Sequence, residues 1–368
     1  SKYDRMPMNL SIWENQSFLG KTDILIVGAG ITGLSTAIHV KKRHPDQEVL
    51  IIERGIIPMG ASTKNAGFAC IGSPSELLDD MTNLSSQEVF ETVEKRWKGL
   101  KMLRETLGDK RIGYAEEGSY ELFKPEDHDQ FKQCLNQLDS LNKYLSPITG
   151  NTKVFKIDHD IIKIAGFKNF EHAISSQAEA SIDPGKMMRS LIRKAYSLGI
   201  HFLFGTELKA YHKATAETNL GKIRYGKLAL CTNGFSLPFL PDLDLKPARA
   251  QVILSKPIMT LPWKGIFHFD RGYYYFRNIG HRILLGGGRN LDFEGETTTV
   301  MNNTEQITGH LKYILETQIA PQLGAQIERS WSGIMGVGSV KKPIVRQLSE
   351  DTFCGIRLGG MGIAIGSL

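Results

Sequence analysis

The feature that most constrains this chain is a glycine-rich loop between an apolar run and a predicted helix. Residues 24–37 are Ile-Leu-Ile-Val-Gly-Ala-Gly-Ile-Thr-Gly-Leu-Ser-Thr-Ala, so Gly28, Gly30 and Gly33 have the spacing GxGxxG. The first glycine permits a tight turn, the second lets a pyrophosphate approach the backbone, and the third lets the helix pack close to the strand. The free N–H groups and the positive dipole end of that helix then face the phosphates.

A second predicted strand supports the same interpretation. Residues 49–53 are Val-Leu-Ile-Ile-Glu, and Glu53 follows Gly33 by 20 positions. This is the spacing expected for a carboxylate that binds a ribose. A GxGxxG alone is a weak signal that a chance glycine turn also explains. The strand, the helix and the acid at these distances together predict a dinucleotide-binding site.

Composition limits the class of protein. The chain has 368 residues, of which 41% are hydrophobic and 23% charged, as in a soluble globular protein of about two domains. No apolar run approaches the ~20 residues that cross a bilayer. The first nine residues lack the apolar core of a signal peptide. Four cysteines without CxxC or zinc-like spacing (Cys70, Cys134, Cys231 and Cys354) predict a reduced, cytoplasmic protein without a metal centre.

The net charge of +6 raises the question of a nucleic-acid partner. The lysines and arginines are spread along the chain and mixed with acids, so no basic arm or helix stands out. A nucleic acid is therefore not expected as a partner. Attraction of an anionic cofactor or substrate, or a solvated surface alone, explains the excess equally well.

Elements outside the dinucleotide unit alternate between helical and strand patterns. Asp183-Pro184 begins an amphipathic helix with Met187, Met188, Leu191, Ile192, Ala195 and Leu198 on one face, and Gly199 ends it. The other predicted elements are helices at 84–107 and 126–145, a strand pair around 114–123, strands at 200–204 and 227–231, antiparallel strands at 251–255, 272–277 and 282–286, and a strand with a glycine loop at 353–363. α/β segments that frame an antiparallel block predict two discontinuous, interleaved domains.

Two segments are short for what they are predicted to form. The tail helix has barely begun at Leu368, and residues 208–221 leave little room for a hairpin. Residues missing from the sequence and a real truncation explain both features equally.

Several segments, in chain order, resemble the D-amino-acid-oxidase-like superfamily of flavoproteins, which includes glycine and sarcosine oxidases and gamma-glutamylputrescine oxidase. The segments are residues 11–14, the Gly28 loop, and residues 60–67, 182–184, 232–234, 249–251, 275–287, 331–333 and 359–362. The resemblance covers nearly the whole chain, and its order and spacing are specific to the superfamily but not to one substrate. It implies an α/β fold in which a Rossmann-type FAD-binding domain (residues 1–80, 172–236 and 327–368) is interleaved with an α+β substrate domain built on an antiparallel sheet (residues 81–171 and 237–326).

The resemblance implies non-covalent FAD as the cofactor. A second polar glycine loop at residues 60–67 supports FAD over NAD, because a nicotinamide-only protein has no need of it. In the family this loop contacts the cofactor, so Ser62 is expected to bond a phosphate and residues 65–68 to line the isoalloxazine; Ser62 as a simple helix cap is the alternative. The tail glycines would place N–H groups near the flavin O2 edge. The cofactor residues implied are Gly28, Ala29, Gly30, Ile31, Thr32, Gly33, Glu53, Arg54, Ala61, Ser62, Thr63, Asn65, Ala66, Gly67, Phe68, Leu208, Thr232, Asn233, Gly234, Gly359, Gly360, Met361, Gly362 and Ile363.

The family's chemistry is transfer of a hydride from a carbon bearing an amine to flavin N5, which gives an imine. The antiparallel block forms the floor of the family's substrate pocket. Alternation along a strand would put Tyr273 and Tyr275 on one side and Tyr274 on the other. The family pattern favours Tyr275 as the pocket-facing catalytic ring, and packing of the sheet is the alternative role.

One position departs from the family pattern. Glycine-oxidase-like members carry an arginine that clamps the substrate carboxylate just after the Trp-x-Gly motif, and here Met335 stands in that place. Arg289 is a possible substitute clamp, or a surface arginine. Loss of the clamp favours amines or larger N-substituted substrates, as in gamma-glutamylputrescine oxidase. No cysteine matches the position of a covalent flavin linkage. No lysine matches the oxygen-activating lysine of sarcosine oxidases, so the electron acceptor stays open between oxygen and a quinone-like carrier.

Other functions stay open at this point. A 2-hydroxy-acid dehydrogenase is the enzymatic alternative within the superfamily. A flavoprotein acting on a modified tRNA base is supported only by the positive charge, and a non-catalytic flavin-binding scaffold is disfavoured because the ring-contacting loops are intact.

Overall fold

The computed structural model describes residues 9–368, so the prediction about a leader in the first nine residues lies almost wholly outside the described residues. The α-helices of this range are α1 Ile12–Glu14, α2 Ile31–Arg43, α3 Ala61–Lys64, α4 Pro74–Asp80, α5 Ser86–Leu107, α6 Asp109–Ile112, α7 His128–Thr149, α8 Asp160–Ala165, α9 Pro184–Ser197, α10 Glu305–Ile314 and α11 Gly362–Ile365. Over the described residues, no helix combines the length and apolar character that a membrane crossing requires.

The β-strands of the same range form two large sheets and one small one. They are β1 Lys21–Val27, β2 Val49–Glu53, β3 Phe68–Ala69, β4 Ser119–Phe123, β5 Phe155–Ile157, β6 His172–Ser176, β7 Ala180–Ser181, β8 His201–Phe204, β9 Leu208–His212, β10 Thr215–Thr218, β11 Gly221–Leu230, β12 Lys246–Ser255, β13 Ile266–Phe269, β14 Tyr274–Ile279, β15 Arg282–Gly287, β16 Ile327–Val337, β17 Ile344–Gln347 and β18 Thr352–Ile356.

The chain divides into two compact units, each built from three segments. The first unit contains Ser1–Thr63, Met188–Lys246 and Gly336–Gly359, and the second contains Lys64–Met187, Pro247–Met335 and Gly360–Leu368. The domain ranges that the resemblance implies for cofactor and substrate stay a prediction.

The first unit is built on a largely parallel sheet. Its strand order is β17-β18-β11-β1-β2-β8, with β1 parallel to both β2 and β11 and only β17 antiparallel along this path. The apolar runs that predicted buried strands are buried: Leu25 and Ile26 of β1 and Ile51 and Ile52 of β2 are inaccessible to solvent. This β1-α2-β2 arrangement is the predicted dinucleotide unit.

The second unit is built on a mostly antiparallel sheet. Its strand order is β16-β12-β15-β14-β13-β4-β6-β5, in which β13 and β4 are parallel. One face of this sheet packs on an aromatic core that includes Phe267, Phe269 and Phe276. The antiparallel block predicted at 251–286 therefore forms the centre of this sheet.

Most predicted elements occur, with two corrections. The segment around 114–123 holds one strand, β4, because Ala115 makes only an isolated bridge with Ser181. Tyr273 lies in the turn before β14, where its N–H donates to the carbonyl of Asp270 at 3.0 Å. The alternation of side chains along the strand therefore does not extend to Tyr273. The short segment at 208–221 does form a hairpin, β9–β10, through a two-residue turn.

A buried ion pair holds the loop that follows β15. The guanidinium of Arg249 donates through Nε to both carboxylate oxygens of Glu296, at 3.2 and 3.1 Å. The amide of Gln251 donates to the same carboxylate and to Thr304 Oγ1, and Gln251 Oε1 accepts from the N–H of Thr304. The segment 249–251 that resembles the family therefore anchors a loop and is not free to bind a substrate.

We predict that Glu296→Gln and Arg249→Met each lower the free energy of unfolding by about 3–5 kcal/mol, because each leaves an uncompensated charge or donor in the interior. Urea denaturation followed by circular dichroism measures this. The matched control is Arg282→Met, which removes the exposed pair with Glu328 and should leave the unfolding free energy nearly unchanged. Equal losses in all three variants would contradict the assignment.

Candidate functional site

The glycine loop of the first unit leaves no room for side chains. Gly28 has φ +105°, and a Cβ added there would lie 2.6 Å from the carbonyl oxygen of Cys231. A Cβ on Gly33 would lie 1.9 Å from the carbonyl oxygen of Gly28. Gly28 therefore lets β11 approach the end of β1, and Gly33 lets α2 pack close to β1, of which only the helix packing was predicted from the sequence.

Two side chains hold this loop by its backbone. Glu53 Oε2 accepts from the N–H of Ala29 at 3.0 Å, and its Oε1 accepts from the N–H of Gly55 at 2.8 Å. Ser62 Oγ accepts from the N–H of Ile31, the first residue of α2, at 2.9 Å. In this structure Glu53 and Ser62 therefore support the loop, in addition to the cofactor contacts predicted for them.

The loop still offers free donors. Thr32 and Gly33 occupy the second and third positions of α2, where backbone N–H groups have no acceptor within the helix. The hydroxyl of Thr32 is buried without a hydrogen-bond partner. Donors at the positive end of a helix, lined by glycine, fit the phosphates of a dinucleotide.

Other predicted cofactor residues of the first unit have structural partners. Asn233 Oδ1 accepts from the N–H groups of Arg357 and Leu358, at 3.0 and 3.3 Å, and so fixes the chain just before Gly359. The hydroxyl of Thr232 bonds that of Ser236 at 2.7 Å.

The remaining members of this set have mixed surroundings. The guanidinium of Arg54 lies 4.5 Å from the ring centroid of Phe235, while Leu208 and Gly234 are buried, Leu208 within the apolar core. Gly30, Ala61 and Thr63 lie in the same unit, where a Cβ on Gly30 would be 3.1 Å from Ser62 Oγ and the hydroxyl of Thr63 donates to the Pro58 carbonyl. Their cofactor contacts stay predictions.

The loop at 65–68 belongs to the second unit and is fixed by Arg277. Arg277 Nη1 donates to the carbonyl oxygens of Ala66, Gly67 and Ile182 at 3.2, 3.1 and 2.6 Å. Asn65 Oδ1 accepts from the N–H of Gly67 at 2.8 Å. Burial lowers the pKa of Arg277 to about 10. The sequence analysis assigned no role to Arg277, although its position two residues after Tyr275 puts it on the same face of β14.

Tyr275 lies across a glycine of the neighbouring strand. A Cβ on Gly286, its partner on β15, would lie 2.4 Å from the Tyr275 ring. The ring meets that of Phe68 edge to face, with centroids 5.8 Å apart, and burial raises the pKa of Tyr275 to about 12. Tyr275 and Phe68 pack on a small cluster that includes Ala66 and Trp331. The structure therefore brings together a predicted catalytic ring and two residues predicted to line the flavin, Ala66 and Phe68.

The other tyrosines belong to the opposite face. Tyr274 stacks on Phe269 in the aromatic core, with centroids 5.0 Å apart. Tyr273 packs against the same core and meets Phe293 at 5.9 Å. The expectation that Tyr273 shares a face with Tyr275 is wrong, because Tyr273 lies in the turn before the strand.

Arg289 has different neighbours from Tyr275. It begins the 3-10 segment Arg289–Leu291, and its guanidinium lies 5.1 Å from the ring centroid of Phe293. Met335 is half-buried near the end of β16, four residues after Trp331, whose Nε1 donates to the carbonyl of Lys64 at 2.9 Å. Tyr275 and Arg289, the two predicted catalytic side chains, therefore contact different aromatic residues, Phe68 and Phe293. Their joint role stays a prediction.

A buried network that the sequence analysis did not identify lies next to the Phe68 loop. Glu179 Oε1 accepts from the N–H groups of Ile71 and Gly72, at 3.0 and 3.1 Å, and Oε2 accepts from Ser119 Oγ at 2.7 Å. His268 Nε2 lies 3.7 Å from Glu179 Oε2. Burial disfavours the charged form of both groups, but the attraction between the Glu179 carboxylate and the His268 imidazolium is larger than this cost. The pKa of Glu179 therefore falls to about 2 and that of His268 rises to about 9.

His268 is the cross-strand neighbour of two titratable groups. It pairs with Tyr275 on β14 and with Glu121 on β4, and Phe68 meets its ring edge to face at 5.7 Å. Burial raises the pKa of Glu121 to about 7, and Ser75 donates to this carboxylate through its N–H and its hydroxyl. The Cys70 thiol lies beside Glu179, and burial raises its pKa. No sequence motif predicts this group of residues, because they come together only in the folded sheet.

The tail glycines lie at the start of α11. Met361 is the residue before this helix, and its carbonyl accepts from the N–H of Ile365 at 3.1 Å. Ile363 is buried, while a Cβ on Gly360 would meet no atom within 4 Å. Gly359, assigned to the first unit, donates its N–H to the carbonyl of Gly336 at 3.0 Å.

Comparison with known proteins identifies the relatives of this architecture. The family model "DAO: FAD dependent oxidoreductase" matches residues 23–368. Sequence relatives are the "Probable oxidoreductase OrdL" of Rhizobium meliloti, 25% identical over 89% of this chain and 76% of that protein, and the sarcosine oxidase subunit beta of Rhodobacter capsulatus, 23% identical over 96% and 85%.

Solved structures show the same fold. The L-proline dehydrogenase of P. horikoshii aligns with a TM-score of 0.75 and 18% identity, over 95% of this chain and 91% of that one. The glycine oxidase of Geobacillus kaustophilus aligns with a TM-score of 0.74 and 18% identity, over 94% and 92%. The predicted fold class, a Rossmann-type FAD-binding domain interleaved with an α+β domain on an antiparallel sheet, is confirmed.

We predict that Arg277→Met frees the loop at 65–68, because three carbonyl groups lose their shared donor, at a cost of about 1–3 kcal/mol. Hydrogen–deuterium exchange, followed by mass spectrometry of peptides covering residues 64–70, should be faster in this variant. Arg282→Met, on the next strand with an exposed carboxylate partner, is the control and should leave this exchange unchanged. Faster exchange throughout the second unit without a focus on this loop would contradict a specific tether.

Proposed function

The chain belongs to the DAO family of FAD-dependent oxidoreductases, and on that premise we propose that it oxidises the C–N bond of an amine or amino acid to an imine. The bound flavin supplies the hydride acceptor. Within this class we propose amines without a carboxylate beside the nitrogen, or larger N-substituted substrates, as the preferred ones.

The names of the relatives support the general reaction. A sarcosine oxidase subunit, a glycine oxidase and an L-proline dehydrogenase are all named for substrates with an amine nitrogen. These three proteins are 18% to 23% identical to this chain and OrdL is 25% identical, so the substrate has to be argued from residues of this chain.

The observation that carries the substrate proposal is Met335. An apolar, half-buried side chain stands where the resemblance places a carboxylate-binding arginine. A methionine cannot donate the paired hydrogen bonds that a guanidinium offers to a carboxylate. The carboxylate of an α-amino acid would therefore lack a charge-assisted hydrogen bond at this position, whereas an amine without a carboxylate loses nothing there.

Arginines of the same sheet are committed elsewhere. Arg249 pairs with Glu296, Arg277 donates to three loop carbonyls, and Arg282 pairs with Glu328. Arg289 lies over an aromatic ring, and a guanidinium in this position keeps its in-plane donors available. Arg289 as a substitute clamp is thus the competing arrangement, and it would restore α-amino acids as substrates.

Aromatic residues of the second unit are proposed to form the substrate-facing wall. Tyr275 and Phe68 meet edge to face, and Gly286 lets the tyrosine ring lie against the sheet. The His268–Glu179 pair, cross-strand from Tyr275, would fix the wall and place a buried positive charge behind it. This role for His268 is positioning, because the contacts of its ring are with other side chains.

The first unit is proposed to bind the ADP portion of FAD. The support is the glycine loop with its free donors, together with Glu53 and Ser62 beside it. Oxygen or a quinone-like carrier is the proposed electron acceptor. A cytoplasmic location is proposed from the four cysteines, which are all buried free thiols.

We predict that Glu53→Ala weakens FAD binding by about 1.5–3 kcal/mol, the size of a hydrogen bond to a charged group. Fluorescence titration of apoprotein with FAD measures the affinity, after acid precipitation has shown that the flavin is released into the supernatant and is not covalently linked. Glu53→Gln keeps one acceptor for Ala29 and should lose less, while Glu48→Ala, at an exposed position just before the same strand, is the control. Unchanged affinity in Glu53→Ala would remove Glu53 from the site, and flavin in the acid pellet would contradict non-covalent binding.

We predict that amines reduce the flavin faster than the α-amino acids from which they derive by decarboxylation. The Met335 position lacks a contact worth about 1.5–3 kcal/mol, which corresponds to roughly ten- to hundredfold in rate. Anaerobic bleaching of the flavin spectrum, with matched pairs of amine and amino acid and with 2-hydroxy acids in the same panel, measures this.

The outcomes separate the competing arrangements. If Arg289 binds the carboxylate, Arg289→Met abolishes discrimination between the members of a pair, whereas Arg282→Met on the same hairpin leaves it intact. Fast reduction by glycine or sarcosine in wild type and in Arg289→Met would mean that the carboxylate is held elsewhere. Reduction by 2-hydroxy acids alone would overturn the amine proposal.

A further inference from the structure

A cluster of imidazoles lies in the second unit, and none of its residues is among those predicted to contact cofactor or substrate. His128 Nδ1 and His172 Nε2 are 3.0 Å apart. The carboxylate of Glu171 approaches the same point, with Oε2 at 4.0 Å from His172 Nε2. One nitrogen from each of the two rings and one carboxylate oxygen of Glu171 all lie within 4.8 Å of one another.

We propose that His128, His172 and Glu171 form a binding site for a divalent transition-metal ion, with Zn²⁺ as the best-suited occupant. Two neutral imidazoles and one carboxylate are a ligand set that suits zinc, and water would complete the coordination. Nitrogens bound to one ion at about 2.0–2.1 Å lie about 2.9–3.4 Å apart for angles between a right angle and the tetrahedral angle. The observed separation of the two nitrogens falls within this range.

The fold fixes the positions of the three groups. His172 begins β6, where it pairs with Phe123 of β4, and the N–H of Glu171 donates to the Phe123 carbonyl at 2.9 Å. His128 is the first residue of α7. An ion held here would link the start of a long helix to the start of β6, so its binding should stabilise the second unit.

Neighbouring rings hold His172 in place. Phe131, which is buried, stacks on His172 with centroids 4.0 Å apart and planes 6° from parallel. The side chain of His172 is 19% exposed and that of Glu171 is 53% exposed, so an ion can enter from solvent.

His159 is close but is not counted as a ligand. Its Nδ1 accepts from the N–H of Ala173 at 3.1 Å, which commits that lone pair. Its ring meets Phe131 edge to face at 5.6 Å. His159 therefore acts as a wall of the cluster.

The second group of potential ligands in this unit has no such capacity. Cys70, Glu179 and His268 also lie within 4.8 Å of one another. Both oxygens of Glu179 already accept hydrogen bonds from Ile71, Gly72 and Ser119, and His268 is charged through its pairing with Glu179. The polar atoms of this buried group are already engaged with one another and with the backbone, whereas the His128 group is joined by one imidazole–imidazole bond and the longer approach of Glu171 to His172.

The test is calorimetric titration of the FAD-loaded protein, prepared without a polyhistidine tag, with ZnCl₂. We expect one saturable site per chain, weakened about tenfold or more in His128→Asn and in His172→Asn, because each removes one of two nitrogen ligands, and by less in Glu171→Gln. The control is His281→Asn, which removes an exposed histidine from the turn between β14 and β15 of the same unit.

A second measurement guards against unfolded variants. Zinc should raise the midpoint of thermal unfolding of the wild type and of His281→Asn, and should raise it less or not at all in His128→Asn and His172→Asn. Absence of saturable binding at one equivalent would overturn the proposal and leave a hydrogen-bonded pair of imidazoles. Equal affinity in wild type and in both histidine variants would overturn it as well.

Discussion

The pairing of loop backbone groups with buried or half-buried side chains is the constraint on which the rest of this structure depends. Loops that carry function cannot use ladder hydrogen bonds, so their N–H and C=O groups need other partners. In the first unit Glu53 holds the glycine loop and Asn233 holds the chain before Gly359. In the second unit Glu179 and Arg277 do the same for residues 66–72.

This constraint changes how charged residues near a site are interpreted. Glu53, at the predicted ribose position, and Arg277, on the same strand as Tyr275, are both partners of backbone groups. Arg277 and Arg249 are placed where an arginine could be mistaken for a substrate clamp, and both are committed to carbonyls or to Glu296. In the function that we propose, substrate preference depends on two other positions, Met335 and Arg289.

The sheet of the second unit adds a relation that no single strand contains. Register aligns Glu121, His268, Tyr275 and Gly286 in one row across four strands. Cross-strand neighbours on one face lie about 4.5–5.5 Å apart between Cβ atoms, so their charges and shapes are coupled. The glycine makes room for the tyrosine ring, and the His268–Glu179 ion pair lies one strand away from it.

The sequence by itself determined the dinucleotide unit, because strand, glycine loop, helix and acidic residue lie within about 30 residues and obey local rules of periodicity and spacing. It also located the antiparallel block and the helix from Pro184 to Ser197. Only the tertiary structure decided that Arg277 tethers Gly67, 210 positions away, or that His128 meets His172 across 44 positions. Register and chain crossings set such pairs, and a single sequence records neither. The face of Tyr273 was decided by the turn that precedes β14, which the strand pattern of the sequence does not show.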